Sequence, residues 1–525
     1  MTYIHPLSAE TEQPPGVLGG KGHGLVVLRR LGLPVPPGFV IGTEACRAFL
    51  RDGRLPGGLA AELAAAVRDL EAATGRRLGG PERPLAVAVR SGGSVSMPGM
   101  MNTILNLGLT AEATAGLAAE TGDPRFALDS RLRFLSGFAS AVCGLSPETL
   151  REAGDRADAI EALIVERSGE PVPDDPMRQL ELAVRAVFSS WETPRARTYR
   201  QLHGIPHDLG TAVTVQAMVF GNRDDRSGSG VAFSRDPNTG EPGLPYGDVL
   251  FGRQGEDVVS GGSLTRPLPE LAEREPATWA ALLEALRRAE EHYRDACHVE
   301  FTFEAGELWI LQVRPGGLAG HAAVRVAVDL ADEGVISRRE ALLRISPQHL
   351  QRACTPRMDT AGPIDVLTRG LGACPGVAAG RVATTADRAV RMAAGGPVIL
   401  VRPETSPLDL HGLAAAAGVV TARGGPTSHA AVVARSMGKP AVVGAADLMV
   451  EAACVRAGGR TFPEGTLVTI DGTGGEVAIG SPPVVTGTHG SHLRRLLEWA
   501  DEVSGAGPDR SEAERLAAAH AALAT

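Results

Sequence analysis

The sequence predicts a multidomain α/β protein, and three observations support this class. The chain has 525 residues, which is too long for one hydrophobic core and corresponds to roughly three or four domains. Short apolar or β-branched runs with the pattern of strands alternate with alanine-rich amphipathic runs with the pattern of helices. Between residues 370 and 480, strands, helices and glycine turns alternate as in one compact α/β unit.

The individual elements follow from local patterns. A glycine-rich turn, GGKGHG, precedes a first helix, and LPVPPGFVI then leads into a strand. Strands are also predicted for LAVAVRSGG and TAVTVQAMVFG, and HVEFTFEAGELWILQVRP has the alternation of a hairpin. CTPRMDTAGP resembles an interdomain linker in composition. Helical periodicity marks the remaining stretches at 59–74, 110–200 and 277–294, and two further segments after 481.

Composition and charge exclude several classes of protein. Hydrophobic residues make up 43% and charged residues 22%, as in ordinary soluble proteins, and the net charge of −9 argues against a nucleic-acid partner. The first residues do not resemble a secretory signal, and no apolar run is long enough to cross a bilayer. The six cysteines are scattered without a C-x-x-C pair, which fits a reduced compartment and offers no zinc site. We therefore expect a cytoplasmic enzyme that has no membrane partner.

The stretch GGPTSHAAVVARSMGKP places His429 at the predicted start of a helix. Thr427 and Ser428 are favourable N-cap residues, and the helical pattern ends at Gly438. The positive end of the helix dipole disfavours a protonated imidazole at this position and favours a phosphate attached to the ring. The junction therefore suits a histidine that carries a phosphoryl group, although a lone histidine near a cap is more often an ordinary surface residue.

The predicted hairpin has one polar and one apolar face. We expect a three-residue loop, Ala305 to Glu307, that pairs Glu304 with Leu308. This register places Val299, Phe301, Phe303, Trp309, Leu311 and Val313 on the apolar face, and His298, Glu300, Thr302, Gln312 and Arg314 on the other. Glu300 would lie opposite Gln312. A carboxylate, an amide oxygen and an arginine together suit magnesium and nucleotide phosphates, and the alternative is a solvated sheet face.

Three further positions carry possible phosphate chemistry. Lys21 lies in a glycine turn and either contacts phosphate or merely completes the turn. Arg90 ends a strand before the loop SGGSVSMPGMMNT, where it either clamps phosphate or forms a structural ion pair. Glu256 and Asp257 form an acidic pair between glycines in QGEDVVSGG.

Long strings of the sequence resemble the phosphoenolpyruvate-utilising enzymes, and in particular the pyruvate, phosphate dikinase family. The resemblance runs from about residue 15 to about residue 502. In the second half it rests on VRPETSPLDLHGLAAAAGVVTARGGPTSHAAVVARSMGKPAVVG and DGTGGEVAIG. In the first half it rests on LGGKGHGLVVLRRLGLPVPPGFVI, VRSGGSVSMPGMMNTILNLGL, VQAMVFGNRDDRSGSGVAFSRDPNTGE, QGEDVVSGG and VEFTFEAGELWILQVR.

The resemblance implies a domain organisation. It predicts an ATP-grasp nucleotide-binding domain at 1–345 with a helical insertion at about 106–205, and a linker at 346–364. A swivelling α/β phosphohistidine domain follows at 365–480, and a C-terminal helical tail at 481–525. The last amphipathic helix of this tail would either dock a partner chain or remain solvated.

The resemblance also assigns roles to single residues. His429 would be the phosphoryl carrier, and Thr427 matches a position that is regulatory in some plant members. ATP and phosphate would be bound by Lys21, Arg90, Gln216, Met218, Glu256 and Arg314, with Gln216 and Met218 lining the adenine. Glu300 and Gln312 would hold Mg²⁺. The family usually has Asp at the positions of His298 and Asn102, which puts the metal affinity and even ATP turnover in question. Asp295 is expected at the end of the preceding helix, where it would not substitute.

The implied reaction is a phosphoryl relay that converts ATP, pyruvate and phosphate to AMP, phosphoenolpyruvate and diphosphate. Family members continue into a pyruvate-binding (β/α) barrel of roughly 250 residues. About twenty residues follow HLRRLLEWADEV here, so we expect the acceptor site on a separate barrel subunit. The alternatives are a relay kinase for another small molecule and a degenerate nucleotide-binding regulatory protein, which only the departures at His298 and Asn102 would favour.

Overall fold

The structure is a computed structural model of the 525-residue chain. It describes residues 2–524 except 96, 98–99, 155, 203, 256, 258–264, 319, 348, 351–355, 360–363, 487–489, 506 and 508. The chain forms two compact units: Met1–Ser227 with Thr302–Val313, and Gly228–Phe301 with Arg314–Thr525. Within the described part of the chain, every helix is too short or too polar to cross a membrane. Both units combine helices and sheets, so the α/β class predicted from the sequence is confirmed.

The first unit is built on a five-stranded antiparallel sheet with the order β1-β2-β7-β5-β6. Its strands are β1 (Ile4–Pro6), β2 (Gly38–Ile41), β5 (Val87–Gly92), β6 (Thr103–Leu107) and β7 (Ala212–Ala217), and β3 (Arg77–Leu78) pairs with β4 (Pro84–Leu85) outside it. In the central pair, Ala88 lies opposite Gln216 and Arg90 opposite Thr214. Because side chains alternate along a strand, Arg90 and Gln216 share one face.

Nine described helices of the first unit surround this sheet: α1 (Pro15–Arg30), α2 (Thr43–Asp52), α3 (Leu59–Thr74), α4 (Ala111–Thr121), α5 (Pro124–Cys143), α6 (Pro147–Ala153), α7 (Ala157–Ser168), α8 (Pro176–Ser190) and α9 (Pro194–Leu202). Side-chain N-caps stabilise the first turns of three of these helices: the side chains of Thr110, Asp123 and Asp175 each accept a hydrogen bond from a backbone N–H at the start of α4, α5 and α8. Helices α5 and α8 pack on the sheet through a core that includes Phe134 and Phe188.

The second unit contains a first sheet with the order β10-β9-β8-β11, and β12 follows β11 as its hairpin partner. The strands are β8 (Gly228–Phe233), β9 (Tyr246–Phe251), β10 (Arg266–Pro267), β11 (Cys297–Glu304) and β12 (Glu307–Pro315), and the part Thr302–Val313 of the hairpin belongs to the first unit.

The hairpin was predicted, but its loop was predicted wrongly. The turn has two residues, Ala305 and Gly306, with φ of 51° and 82°. Positive φ at both positions matches the twist of the flanking strands, so a three-residue loop is not needed. The predicted pairing of Glu304 with Leu308 across the turn is therefore wrong. In β12, Leu308 and Ile310 are buried, whereas Trp309 is only half-buried.

The second unit also contains an eight-stranded sheet with the order β14-β24-β23-β16-β17-β18-β19-β15. Its middle is parallel: β16, β17, β18 and β19 run in one direction, and the flanking pairs are antiparallel. The strands are β14 (Val366–Arg369), β15 (Leu371–Cys374), β16 (Val377–Ala383), β17 (Val398–Arg402), β18 (Gly418–Thr421), β19 (Ala441–Val443), β23 (Leu467–Asp471) and β24 (Glu476–Ile479). Smaller sheets are formed by β20 (Met449–Val450), β21 (Cys454–Ala457) and β22 (Arg460–Pro463), and by β13 (Pro356–Met358) with β25 (Val484–Thr486).

The described helices of the second unit are α10 (Glu270–Arg274), α11 (Pro276–Tyr293), α12 (Gly320–Asp332), α13 (Arg338–Arg344), α14 (Ala386–Ala393), α15 (Leu410–Ala415), α16 (His429–Met437), α17 (Ser491–Ser504) and α18 (Glu512–Ala524), with a 3₁₀ turn at Pro407–Asp409. One side of the terminal helix α18 packs within its own unit. Its Leu516 and Ala519 are fully buried in one cluster with residues of α12, α13 and α17. The other domain limits proposed from the sequence stay predictions.

Candidate active site

His429 is the first residue of helix α16, as the sequence predicts. The strands β17 and β18 are parallel neighbours, so the loops that follow them leave the sheet at the same edge. The loop after β17 contributes Thr405, whose Oγ1 lies 3.0 Å from His429 Nδ1. The loop after β18 carries the GGPTSH stretch, in which Gly424 adopts a φ of 96°. Adjacent loop ends therefore place a hydroxyl against one nitrogen of the ring.

The environment of His429 keeps its ring neutral. Burial lowers the pKa of His429 to about 4, and the nearby negative charge of Asp409 opposes this shift only in part. The Nε2 atom is buried and makes no hydrogen bond with any residue that the structure describes. In the tautomer with its proton on Nδ1, the ring donates to Thr405 and Nε2 carries a lone pair. This arrangement provides a nucleophile of defined orientation.

The loop before His429 is held by the side chain of Arg435. The Arg435 guanidinium donates to the carbonyl oxygens of Pro426, at 2.6 Å, and of Ala373, at 2.9 Å. Ser428 is the N-cap residue, but its hydroxyl makes no capping bond. Ser428 Oγ is buried and has no partner among the described residues. The prediction of a helix start was correct, although the serine side chain does not stabilise it.

In the first unit, Arg90 and Gln216 form one polar cluster. Arg90 Nη2 donates to Gln216 Oε1 at 2.5 Å and to the carbonyl oxygen of Leu311 at 3.1 Å. Gln216 Nε2 in turn donates to Pro36 O at 3.0 Å. These bonds fix the planes of the guanidinium and the amide on one face of the central strand pair. The two residues assigned by sequence to phosphate and to adenine are thus brought together.

Lys21 lies beside the end of the strand that carries Arg90. Gly19 interrupts α1 with a φ of 68°, and a Cβ there would lie 1.7 Å from the carbonyl oxygen of Gly92. Gly20 N donates to Gly93 O at 2.9 Å. The prediction of a glycine turn before the first helix was wrong, because GGKGHG lies within α1, where only Gly19 has non-helical backbone geometry. Only glycine permits the close approach of Gly19 to the end of β5. The same contact brings the backbone of Lys21 next to Gly92.

The remaining predicted residues of the first unit are Met218 and Gln312. Met218 is partly buried against a small apolar cluster that contains Leu109 and Phe126. Its backbone N–H donates to Ala86 O at 2.9 Å. Gln312 in β12 is almost fully buried. Glu256 lies outside the described residues.

The base of the hairpin, in the second unit, holds Glu300, Arg314 and His298. The Arg314 guanidinium lies 3.7 Å from the Glu300 carboxylate. The ring of His298 stacks on Phe233 at 4.6 Å between centroids, with an angle of 12° between the planes. Burial and the positive charge of Arg314 lower the pKa of His298 to about 3. His298 is therefore neutral and supplies no negative charge to a metal.

The other departure, Asn102, and the possible substitute carboxylate, Asp295, both have partners in the surrounding structure. Asn102 accepts a bond from Arg195 Nη2 and donates to Ala141 O, at 3.2 and 3.3 Å, so both ends of its amide are used. Asp295 lies just after α11, and its carboxylate is 3.9 Å from the guanidinium of Arg344. Within the described residues, no group of three or more His, Cys, Asp or Glu side chains is arranged to hold a metal ion.

Comparison with known proteins matches two parts of the chain to described families. Residues 51–268 match the family described as "Pyruvate phosphate dikinase, AMP/ATP-binding domain", and residues 395–475 match "PEP-utilising enzyme, mobile domain". The first match contains Arg90, Gln216 and Met218, and the second contains His429. Lys21 and the hairpin residues lie outside both matches.

Curated relatives align along most of the chain. It is 45% identical over 514 residues to pyruvate, phosphate dikinase 2 of Zea mays, an alignment that covers 93% of this chain and 58% of the relative. The corresponding values are 43% over 521 residues for pyruvate, phosphate dikinase of Rhizobium meliloti (strain 1021), covering 92% and 58%. For the chloroplastic enzyme of Flaveria trinervia they are 42% over 513 residues, covering 93% and 54%. The chain thus spans just over half the length of these relatives. It carries one region that matches the AMP/ATP-binding domain of pyruvate phosphate dikinase and one that matches the mobile domain of the PEP-utilising enzymes, and it is similar to the named dikinases along nine-tenths of its length.

Proposed function

We propose that this chain is an ATP- and Mg²⁺-dependent phosphotransferase that phosphorylates its own His429. The observation that carries the proposal is the state of the His429 ring: buried, neutral, bonded to Thr405 through Nδ1, and with Nε2 unbonded among the described residues. A ring held in this way can attack an electrophilic phosphorus through one defined atom. Similarity to the family supports the same reaction, since relatives that align with nine-tenths of the chain are named as dikinases.

The proposed step forms a bond between Nε2 and the β-phosphorus of ATP. The bond from that phosphorus to the oxygen bridging the α- and β-phosphates breaks, so AMP leaves with the electron pair. Inorganic phosphate then attacks the γ-phosphorus, and the bond from that phosphorus to the oxygen bridging the β- and γ-phosphates breaks. Diphosphate leaves, and the β-phosphoryl group remains on Nε2 with the bridging oxygen. Positive charge develops on the ring during the attack. The hydrogen bond at Nδ1 and the carboxylate of Asp409 both favour that charge.

The remaining sequence-assigned residues are proposed to bind the nucleotide. Lys21, Arg90 and Arg314 would neutralise phosphate oxygens, Gln216 and Met218 would line the adenine, and Glu256 would complete the phosphate site. Glu300 and Gln312 would hold Mg²⁺, because a carboxylate oxygen and an amide oxygen are ligands that this ion prefers. When bound, Mg²⁺ would withdraw charge from the phosphate oxygens. Intact-mass measurement after incubation with ATP and Mg²⁺ tests the function: one added phosphoryl group supports it, and an unchanged mass excludes it.

The degenerate nucleotide-binding alternative still rests on the departures at His298 and Asn102, although the Asn102 amide makes hydrogen bonds with Arg195 and with the carbonyl oxygen of Ala141. For the phosphoryl acceptor, we keep the proposal of a pyruvate-binding domain outside these 525 residues, on a separate subunit or continuous with this chain. A relay to another small molecule would differ only in the acceptor. Discharge of the isolated phosphoprotein by pyruvate, with and without a barrel subunit, separates these possibilities.

His429 should titrate far below an ordinary histidine. The folded-state pKa of about 4 lies below the usual 6.5, so the unfolded chain binds the extra proton between these values. Folding stability from this group is thus complete above pH 6.5 and is lost as the pH falls toward 4. Histidine NMR resonances followed from pH 8 to about 3 should show the midpoint, with the chain in urea as control. A folded-state midpoint near 6.5 would contradict the buried, neutral ring.

His298→Asp should reduce the Mg²⁺ concentration needed for half-maximal phosphorylation. His298 and Glu300 are two residues apart in β11 and interact electrostatically, so the variant adds a carboxylate beside the proposed metal ligand. A decrease of roughly threefold or more is expected for one added charge in a partly buried site. His298→Asn, which has a similar size and no charge, should leave the requirement unchanged. An unchanged or higher requirement in the Asp variant would place residue 298 away from the metal.

A further inference from the structure

The carboxylate of Asp248 is buried and contacts the loop that precedes His429. Asp248 lies in strand β9 and is 4% exposed. Its Oδ2 accepts bonds from Thr427 Oγ1 at 2.8 Å and from Thr427 N at 3.3 Å, and Thr265 Oγ1 donates to Oδ1 at 3.1 Å. Among the described residues, no lysine or arginine forms an ion pair with it. A buried carboxylate of this kind depends on its hydrogen-bond donors, and two of the three belong to Thr427.

The loop is shaped to approach this carboxylate closely. A Cβ added at Gly425 would lie 2.6 Å from each carboxylate oxygen of Asp248, so no larger residue fits without a shift. The Pro426 carbonyl is turned toward Arg435, which holds it at 2.6 Å. Three consecutive residues, Gly425, Pro426 and Thr427, thus have conformations that allow the loop to pack closely against β9.

Two further contacts connect the same regions of the second unit. Asn238 Nδ2 donates to Gly372 O at 3.2 Å, and the Arg435 guanidinium lies 5.8 Å from the centre of the Phe233 ring. Strand β9 itself leads into the segment that begins at Gln254 and contains Glu256, which we assign to phosphate binding. The loop that precedes His429 therefore contacts a strand that is close in sequence to a residue proposed to bind phosphate.

We propose that Asp248 is a positioning residue that holds the loop at residues 424–428, which precedes His429, against β9. We further propose that transfer of the phosphoryl group from ATP requires this contact. The inference rests on the proposed function, in which His429 receives the group from ATP. Asp248 acts through Thr427 and Gly425 and does not touch the reacting atoms. Breaking its bonds to Thr427 lowers the fraction of molecules with the loop in place, so it reduces the rate of transfer without changing the residues proposed to bind ATP.

The test compares Thr427→Val, Asp248→Asn and the double variant with the wild-type chain. Each single variant should lower the maximal rate of His429 phosphorylation about tenfold, the loss expected when a hydrogen bond to a charged group is removed. The ATP concentration for half-maximal rate should not change. The double variant should be no slower than the slower single variant, because both changes remove one contact. Thr265→Val, which removes a donor to the same carboxylate outside the loop, is the matched control and should stay within threefold of wild type.

Hydrogen–deuterium exchange of residues 424–431 provides a readout that does not require activity. Exchange should become several-fold faster in Thr427→Val and in Asp248→Asn and stay unchanged in Thr265→Val. If the wild type takes up no phosphoryl group but exchange responds in this pattern, the proposed function is wrong, whereas the contact between the loop and Asp248 is supported. Valine has nearly the volume of threonine. If neither the rate nor the exchange changes in Thr427→Val, the proposal that Asp248 positions the loop through Thr427 is wrong. Multiplicative rate losses in the double variant would also overturn it.

Discussion

His429→Ala should take up no phosphoryl group from ATP, a loss of at least about a thousandfold in rate. The variant removes the buried Nε2 atom that we propose as the nucleophile. His429→Gln keeps a polar side chain of similar length at the start of α16 and should be equally inactive. The uptake of β-labelled ATP, quantified in base-stable and acid-labile form, measures the effect.

The matched control is His411→Ala. His411 lies in α15 of the same unit, is half-exposed, and forms an ion pair with Asp387 at the surface. Its loss should leave labelling unchanged. Label that survives in both His429 variants would show that another residue carries the phosphoryl group.

Arg90→Met should lower the rate of His429 phosphorylation roughly a hundredfold, the usual effect of losing one preorganised group that stabilises transition-state charge. Its guanidinium is held in a fixed plane by Gln216 and by Leu311 O, so it is oriented before a ligand arrives. Arg90→Lys keeps the charge and loses the planar fork, and we expect an intermediate rate.

The control for charge and fold is Arg76→Met in the same unit, which breaks a half-buried ion pair with Glu120. This variant should change thermal stability slightly and leave phosphorylation unchanged. Equal losses in Arg76→Met and Arg90→Met would assign the effect of Arg90 to folding. A rate in Arg90→Met close to that of the wild type would remove Arg90 from the phosphate site.

Local signals predicted the elements of the fold better than their contacts. The start of α16 at His429 follows from the cap residues and from the glycine that ends the helix. The hairpin loop was missed because Ala305 adopts a left-handed φ without the Asn or Asp that usually marks such a turn. One residue more in the loop reverses the face of each following side chain, so the burial of Leu308 and Ile310 could not be predicted.

The candidate site shows the same limit. His429 and Arg90 could be found because their neighbours in sequence form long recognisable strings. Thr405 could not, because it meets the ring only through the pairing of β17 with β18. Asp248 lies 179 residues before Thr427, and neither residue indicates the other in the sequence. Long-range contacts that orient a reactive group depend on tertiary structure, which a local pattern does not contain.

The most direct test of the central claim follows the two terminal phosphates of ATP separately. The chain is incubated with Mg²⁺, phosphate and ATP labelled at either the β or the γ position, and the phosphorylated atom is located by fragment mass spectrometry and phosphorus NMR. We expect the β-label to remain on the protein, attached to Nε2 of His429, and the γ-label to leave in diphosphate. Retention of the γ-label on the protein, or a β-label on any other atom, would contradict the account.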